Sequence, residues 1–369
     1  MNAVDGSDHY SKTSDEPPPS LLTIILDTNP NAWALLSPTL PLSAAIANLL
    51  VFINAHLAFN NANKVAIIAS HTQRAEFLYP LPAHEISPHI NGSNTHNGDV
   101  EMADGDEPTV AEETSTDDAN HYRPFRQIQS TLLTSLSTLL KTTSPTSLTP
   151  TTSIAGALTL ALTYINRCTL NASTTSPNPT TTTPSDNALN PDTAPPPLHP
   201  RILILSVSGD LAHQYIPIMN TIFACQRLSI PIDIAKISGD TVFLQQASDA
   251  THGTYIKLEH PRGLLQYLMM GFLPDQSCRG FLVAPTAVGV DFRAACFCHR
   301  RVVDVGFVCS ICLSIFCSPP EGAICLTCGT HLQLGEYGEK PAVVAKKKKK
   351  KRDMVDGKAK EATVRSRPG

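Results

Sequence analysis

The sequence lacks the glycine signatures of the common phosphate sites. No Gly-x-Gly-x-x-Gly follows its first apolar run and no Walker loop occurs, so nucleotide binding is without its usual backbone cradle. Gly-x-Ser-x-Gly is missing as well, which removes the nucleophile elbow of the α/β-hydrolases. No uninterrupted apolar run reaches the roughly eighteen residues of a membrane span. Residues 1–20 are polar and acidic with Pro17-Pro18-Pro19, and have neither the basic n-region nor the apolar core of a secretory signal. The expectation is a soluble chain in a reducing compartment, where thiols stay free to bind metal. His56, His71 and His213 lie on or beside apolar segments, where packing or surface roles suit them better than catalysis, and Trp33 and Met269-Met270 read as core or interface residues. With no convincing active site, the chain is expected not to be an enzyme.

What is present is unevenly distributed. The 369 residues are 42% hydrophobic and 16% charged, with 30 prolines, enough for one substantial domain plus appendages but not for a uniform globule. Net charge is −4, yet residues 85–118 are acidic while Lys346–Arg352 are consecutively basic. The expected organisation is a disordered N-terminus (1–19), an α/β domain (20–275) with disordered insertions at 84–121 and 171–200, a connecting segment (276–295), a cysteine-rich module (296–333) and a basic disordered tail (334–369).

Within 20–275, strands alternate with helices. Leu21–Leu26, Lys64–Ser70, Ala75–Tyr79, Arg201–Val207, Ile230–Ala235 and Thr254–Leu258 read as strands. Helical spacing marks Leu42–Leu57, Tyr122–Lys141 (inward Ile128, Leu132, Leu133, Leu136, Leu139 and Leu140), Ile154–Cys168 with Thr151–Ser153 as candidate caps, His213–Arg227 (inward Ile216, Met219, Ile222 and Phe223), Thr241–Ala250 and Arg262–Phe272. That alternation predicts a doubly wound, mostly parallel sheet with helices on both faces. Phe281–Pro285 and Val288–Ala295 are expected to be extended.

Ligands of such a sheet gather at the carboxyl ends of its strands. There Asp27-x-Asn29-x-Asn31, with Thr152 and Asp210, could hold magnesium, while turn chemistry offers the plainer reading of Asp27 as a cap and Asn29-Pro30 as a loop. The stronger signal is C-terminal. Seven of the ten cysteines lie in Cys296–Cys328, including the knuckles Cys309-Ser-Ile-Cys312 and Cys325-Leu-Thr-Cys328, whose spacing aims four thiolates at one zinc ion. Cys309, Cys312, Cys325 and Cys328 are therefore the predicted Zn2+ ligands, a closed site with no place for a catalytic water. Cys296, Cys298 and Cys317, with His299 nearby, are left over; in a cross-braced arrangement they would be the remains of a second site. The run Lys346–Arg352 reads as a nuclear localisation signal, with no interleaved aromatics to stack bases.

Several segments together resemble a known family: Asp27-Thr-Asn-Pro30, Asn63-Lys-Val-Ala-Ile-Ile-Ala-Ser-His71, Phe77-Leu-Tyr-Pro80, Leu244-Gln-Gln-Ala247, Leu264-Leu-Gln-Tyr-Leu268, Phe272-Leu-Pro-Asp275 and Phe292-Arg-Ala-Ala-Cys-Phe-Cys-His-Arg300 continuing to Cys309-Ser-Ile-Cys-Leu-Ser-Ile-Phe-Cys317. The chain is similar to the von Willebrand A-like, zinc-finger-bearing small core subunits of the transcription and DNA-repair factor TFIIH, in a fungal form. The resemblance implies a von Willebrand A-like domain, a four-cysteine zinc finger, a nuclear location and a scaffolding role in RNA polymerase II initiation and nucleotide excision repair. It also implies partners: the other TFIIH core subunits, chiefly a sister carrying its own von Willebrand A and RING-like domains, with DNA contact indirect or weak. The rival expectation is a RING-type ubiquitin ligase or adaptor built on the cysteine module. One departure concerns metal: the domains that bind magnesium use Asp-x-Ser-x-Ser, where this chain has Asp27-x-Asn29-x-Asn31.

Overall fold

The computed structural model describes residues 18–81, 123–174, 198–209, 211–283 and 289–332. The expected insertion 84–121, most of 171–200, Asp210 and the basic tail lie outside them. The described residues form two compact units, one reaching Ala295 and including His299–Asp304, the other comprising Cys296–Cys298 and the chain from Val305.

The first unit is built on six strands: β1 (Ser20–Asp27), β2 (Lys64–Ser70), β3 (Ala75–Tyr79), β4 (His199–Ser206), β5 (Ile232–Lys236) and β6 (Tyr255–Lys257). Their order is β3-β2-β1-β4-β5-β6. All neighbours are parallel except the edge pair β2–β3. This is the doubly wound, mostly parallel sheet that the alternation of strands and helices predicts. β1 lies at its centre and is buried along its whole length, which is why its sequence is a continuous apolar run and not an alternating one.

Alternate residues of β1 serve opposite layers, as the two-residue period of a strand requires. Leu22, Ile24 and Leu26 face a core shared with α2 (Leu42–Phe59) and α3 (Arg123–Lys141), whereas Leu21 and Ile25 face one shared with α4 (Ile154–Thr174) and α5 (Tyr215–Arg227). α2 is the one described helix long and apolar enough to cross a membrane. It instead lays Ala45, Ile46, Leu49, Phe52, Ile53 and His56 into the core, the position of a core helix under a sheet.

Several expectations shift by a turn or a face. α5 buries Ile218, Thr221, Ile222 and Cys225, while Ile216 and Phe223, expected inward, are exposed. The helix starts at Tyr215, after a short 3-10 turn, and its apolar stripe is rotated accordingly. In α3, Leu133 is exposed and Leu140 only half-buried, leaving Ile128, Leu132, Leu136 and Leu139 as the buried row. α4 continues to Thr174, and β4 begins at His199, so the second insertion is shorter at both ends than expected. Where Thr151–Ser153 were expected to cap α4, the Gln214 side-chain carbonyl accepts from Ala155 N–H at 3.1 Å.

Asn29-Pro30, read as a loop, opens a helix, α1 (Pro30–Leu36): the Asn29 side chain accepts from Asn31 N–H, and proline takes the first turn, where its missing N–H costs nothing. α6 (Val242–Ala250) follows expectation, whereas the helix expected at 262–272 is a short α7 (Leu264–Tyr267) running into a π-turn over Leu268–Phe272. Beyond it, α8 (Gln276–Arg279) lies in the connecting segment, and Phe281–Leu282 form a turn with both side chains exposed, not the extended run expected. Arg279 reaches back from α8 to Asp233 of β5 in a two-pronged ion pair at 2.7 and 2.6 Å. Nearby, the buried Arg201 donates to the carbonyls of Phe272 and Pro274, pinning the segment after the π-turn to the sheet.

Candidate metal centre

The strand-end loop of the first unit comes first, because Asp27 is the residue a cation would need. Its carboxylate is already fully used. One oxygen accepts from the N–H groups of Val207 (3.0 Å) and Ser208 (2.7 Å), the other from Ser208 Oγ (3.0 Å) and Asn29 N–H (3.2 Å). Asn29 is equally committed: its amide donates to Pro150 O and Ser208 Oγ, and its oxygen accepts from Asn31 N–H. Trp33 also donates to Asp27 O, at 2.7 Å.

The Lys236 ammonium is buried in the same place, donating to Ser206 Oγ at 2.9 Å and to the Ser208 carbonyl. Burial pushes its pKa down to about 8, against the pull of Asp27. The arrangement follows the plain reading of Asp27 as an anchor for backbone turns, with a protein cation in attendance. His71 joins it as a packing residue, bridging the Thr28 and Thr143 hydroxyls, with burial holding its pKa below the ordinary value. The loop from Ser208 was among the strand ends expected to matter, whereas Lys236 was not foreseen; a lysine at the end of an apolar strand is the signal that could have marked it.

The second unit carries the thiol cluster. Strands β9 (Phe307–Val308) and β10 (Ile315–Phe316) pair antiparallel, Val308 opposite Ile315, and the turn between them holds Cys309 and Cys312. Cys309 N–H donates to Ser314 O and Leu313 N–H to Cys309 O, with Leu313 at φ +59°. The second knuckle repeats the pattern: Ile324 bridges His331, Cys325 N–H donates to Thr330 O, Gly329 N–H to Cys325 O, and Gly329 sits at φ +71°. Such a turn needs one left-handed residue, which glycine supplies without steric cost and leucine does not.

These two frames bring the predicted residues together. The sulfurs of Cys309, Cys312, Cys325 and Cys328 all lie within 4.8 Å of one another, with Cys312–Cys325 at 3.5 Å and Cys309–Cys328 at 3.7 Å. Ser314 beside Cys312 (3.1 Å) holds that thiol down at about 6, and Thr330 holds Cys328 down as well. Among the described residues of this unit the buried apolar ones are few: Cys296, Cys309, Phe316 and Cys325, with Phe297, Phe307 and Leu332 packed against the last three. A core of this size leaves a small module dependent on some further cross-link, and the four thiols can hold a metal ion.

Comparison with known proteins agrees with both units. The family model described as "Transcription factor Tfb4" matches residues 19–329, through the α/β unit and both knuckles. A Schizosaccharomyces pombe protein named general transcription and DNA repair factor IIH subunit tfb4 is 43% identical over 322 residues, covering 87% of this chain and 92% of its own. The Saccharomyces cerevisiae protein of that name is 34% identical over 355 residues, covering 92% and 94%. Among solved structures, the N-terminal domain of TFIIH p34 is similar at 44% identity with a TM-score of 0.52, covering 69% of this chain and 98% of that one. With its sheet, its knuckles and its sequence matched along nearly their whole described length, the chain belongs to the Tfb4 family of transcription factors.

Proposed function

We propose that this chain is a non-catalytic structural subunit of the TFIIH core complex, acting in the nucleus in RNA polymerase II initiation and nucleotide excision repair. On this reading it scaffolds assembly with the other core subunits, chiefly a sister bearing RING and von Willebrand A domains, and contacts DNA weakly or only through them. The observation that carries the reading is the family match over residues 19–329 with relatives named as subunits of factor IIH. The use made of Asp27 is consistent with it: among the described residues, its carboxylate accepts from the Val207, Ser208 and Asn29 N–H groups and from Ser208 Oγ.

Cys309, Cys312, Cys325 and Cys328 are the proposed zinc ligands. A tetrahedral ion with Zn–S bonds of about 2.3 Å needs sulfurs roughly 3.8 Å apart, and the pairs at 3.5 and 3.7 Å fit that edge. Zinc would supply no reaction here, only the cross-link that fixes the knuckles, worth on the order of 10 to 16 kcal/mol in small peptides. The test is purification of the complex from cells expressing Cys309→Ser or Cys328→Ser: recovery of the other subunits should fall. Normal assembly with the metal lost would remove the knuckles from the scaffold.

One observation favours the rival reading as a ubiquitin ligase: Ile311, Leu313 and Leu326, on the two knuckles, are 65%, 69% and 68% exposed, as an apolar docking surface for a conjugating enzyme would be. The same exposure serves assembly with a sister subunit, and an activity assay separates the two.

A further inference from the structure

The end of the sheet opposite Asp27 holds a cavity of about 370 Å3 where β1 begins, bordered on one side by the last turn of α2 and on the other by the π-turn and α8. Its lining includes Ser20, His56, Asn63, Met269, Leu273 and Cys278. That is room enough for a small molecule. Ligands of such sheets usually sit at the other end, which in this chain is taken up by the bonds among Asp27, Ser208 and Lys236.

The walls are held in place by the protein itself. The Asn63 side chain accepts from Ser20 N–H at 2.8 Å and donates to the His56 carbonyl at 2.9 Å, so one residue fixes the start of β1 to the end of α2. On the other side, the buried Arg201 donates to the carbonyls of Phe272 at 2.7 Å and Pro274 at 3.1 Å, and the Arg279–Asp233 pair anchors α8. Between them, the π-turn over Leu268–Phe272 carries Met269 to the cavity. Turns of that kind are rare and recur at functional sites. A cavity framed in this way is preformed, as ligand pockets usually are.

Two polar side chains in the lining have work left undone. The His56 imidazole is held beside the backbone of Lys64 and Ser20. Its Nε2 and the Ser20 hydroxyl, on residues each 2% exposed, nevertheless have no hydrogen-bond partner among the described residues. Buried polar atoms are normally paired, and leaving them unpaired costs stability. Around them the lining is apolar, with Phe59, Met269, Leu273 and Leu282. It contains neither lysine nor arginine, and its carboxylate, Asp275, repels anions; the buried imidazole is neutral at pH 7.

We propose that this cavity binds a small neutral molecule with an apolar ring-sized body and one hydroxyl group, the hydroxyl meeting His56 and Ser20 and the body packing on Met269 and Leu273. A hydroxyl both donates and accepts, so it suits either tautomer of the imidazole and the rotating serine hydroxyl together. An acid is excluded by charge, and a pure hydrocarbon leaves both polar atoms unpaired.

The experiment uses 4-ethylphenol as the probe and ethylbenzene as its hydroxyl-free counterpart, each titrated into the full-length chain and followed by ligand-observed NMR. Location is read from Cys278, which lines the cavity and is exposed: its rate of labelling by iodoacetamide is mapped by mass spectrometry. Saturable binding of 4-ethylphenol is expected, with Cys278 labelled several-fold more slowly at saturation. Ethylbenzene should bind about fivefold to tenfold more weakly, the worth of one hydrogen bond. His56→Leu should weaken 4-ethylphenol by a similar factor and leave ethylbenzene unchanged. If that variant does not fold, Ser20→Ala, which removes only a hydroxyl, carries the same expectation. Met269→Trp, which fills the cavity, should abolish both binding and protection. An unchanged Cys278 rate, or binding that survives Met269→Trp, would overturn the site. Equal affinity for the two probes in the wild type would overturn the hydroxyl class of ligand.

Discussion

Asp27 receives three hydrogen bonds from the Val207-Ser208 segment, the shortest of them from Ser208 N–H at 2.7 Å, so the carboxyl end of β1 is tied to the carboxyl end of β4 across the centre of the sheet. The bond joins residues far apart in sequence, and both partners are buried. It turns what sequence alone would offer as an ion site into a structural clasp.

If the clasp is structural, Asp27→Ala strips acceptors from buried donors and leaves the Lys236 charge without its counterweight. A loss on the order of 3 kcal/mol or more is expected, since unsatisfied buried groups beside a charge cost that much. Urea denaturation of the full chain measures it. In the same experiment millimolar magnesium should leave the wild-type midpoint unchanged; a stabilisation that Asp27→Ala abolishes would mean that the site holds an ion after all.

The Arg279–Asp233 pair is buried on the aspartate side, whose side chain is 1% exposed, against 13% for the arginine. Removing one partner of such a pair costs about 3 to 5 kcal/mol, mostly through the charge left behind. Arg279→Ala should therefore destabilise strongly. Arg279→Met with Asp233→Leu should recover part of that loss, though not all, because Asp233 also accepts from Thr254 N–H at 2.9 Å. Denaturation midpoints of the single and double variants provide the check.

His56 is buried and neutral, its pKa lowered from 6.5 to about 4 first by burial and then by Arg201. The unfolded chain takes up this proton near 6.5 and the folded chain only near 4, so the unfolded state binds more protons between those values and stability falls as the pH drops. Above 6.5 the contribution is complete. Between pH 7 and pH 5 it should shrink by about 2 kcal/mol. His56→Phe, close in size and without a proton to bind, should flatten that part of the pH–stability curve; an unchanged slope would mean that another group is responsible.

The ubiquitin-ligase reading can be dismissed or accepted directly. Full-length chain incubated with activating enzyme, a panel of conjugating enzymes, ATP and ubiquitin should give no conjugates above a no-protein control. Conjugation that disappears in Cys309→Ser would replace the scaffold reading.

The sheet was readable in the sequence because its strands are continuous apolar runs such as Ile202–Leu205, and no other element suits residues buried on both faces. Most helix positions were readable to within a turn, though α4 runs on from Cys168 to Thr174 and α1 and α8 were read as non-helical; the faces were read less well. Ile216 and Phe223 belong to an apolar surplus on α5 that periodicity alone assigns to the core. The Asn29-Pro30 signal of a helix start was present and was overridden by the reading of Asn-Pro as a turn. The Cys309/Cys325 tetrad was legible because its spacing is local. What escaped is a relation that no spacing connects: Lys236 with Asp27, brought together only by the pairing of strands.

Lys236 gives the α/β unit an ammonium of its own where a dissolved cation would otherwise be recruited. An ion taken from solution can leave, and a site that fills and empties can be used to signal. A cation carried on the chain cannot diffuse away, so if magnesium leaves the unfolding midpoint unchanged, this end of the sheet is held in one state regardless of divalent-ion supply. The loops that Asp27 and Lys236 hold keep one shape, which suits a part that is assembled once and kept.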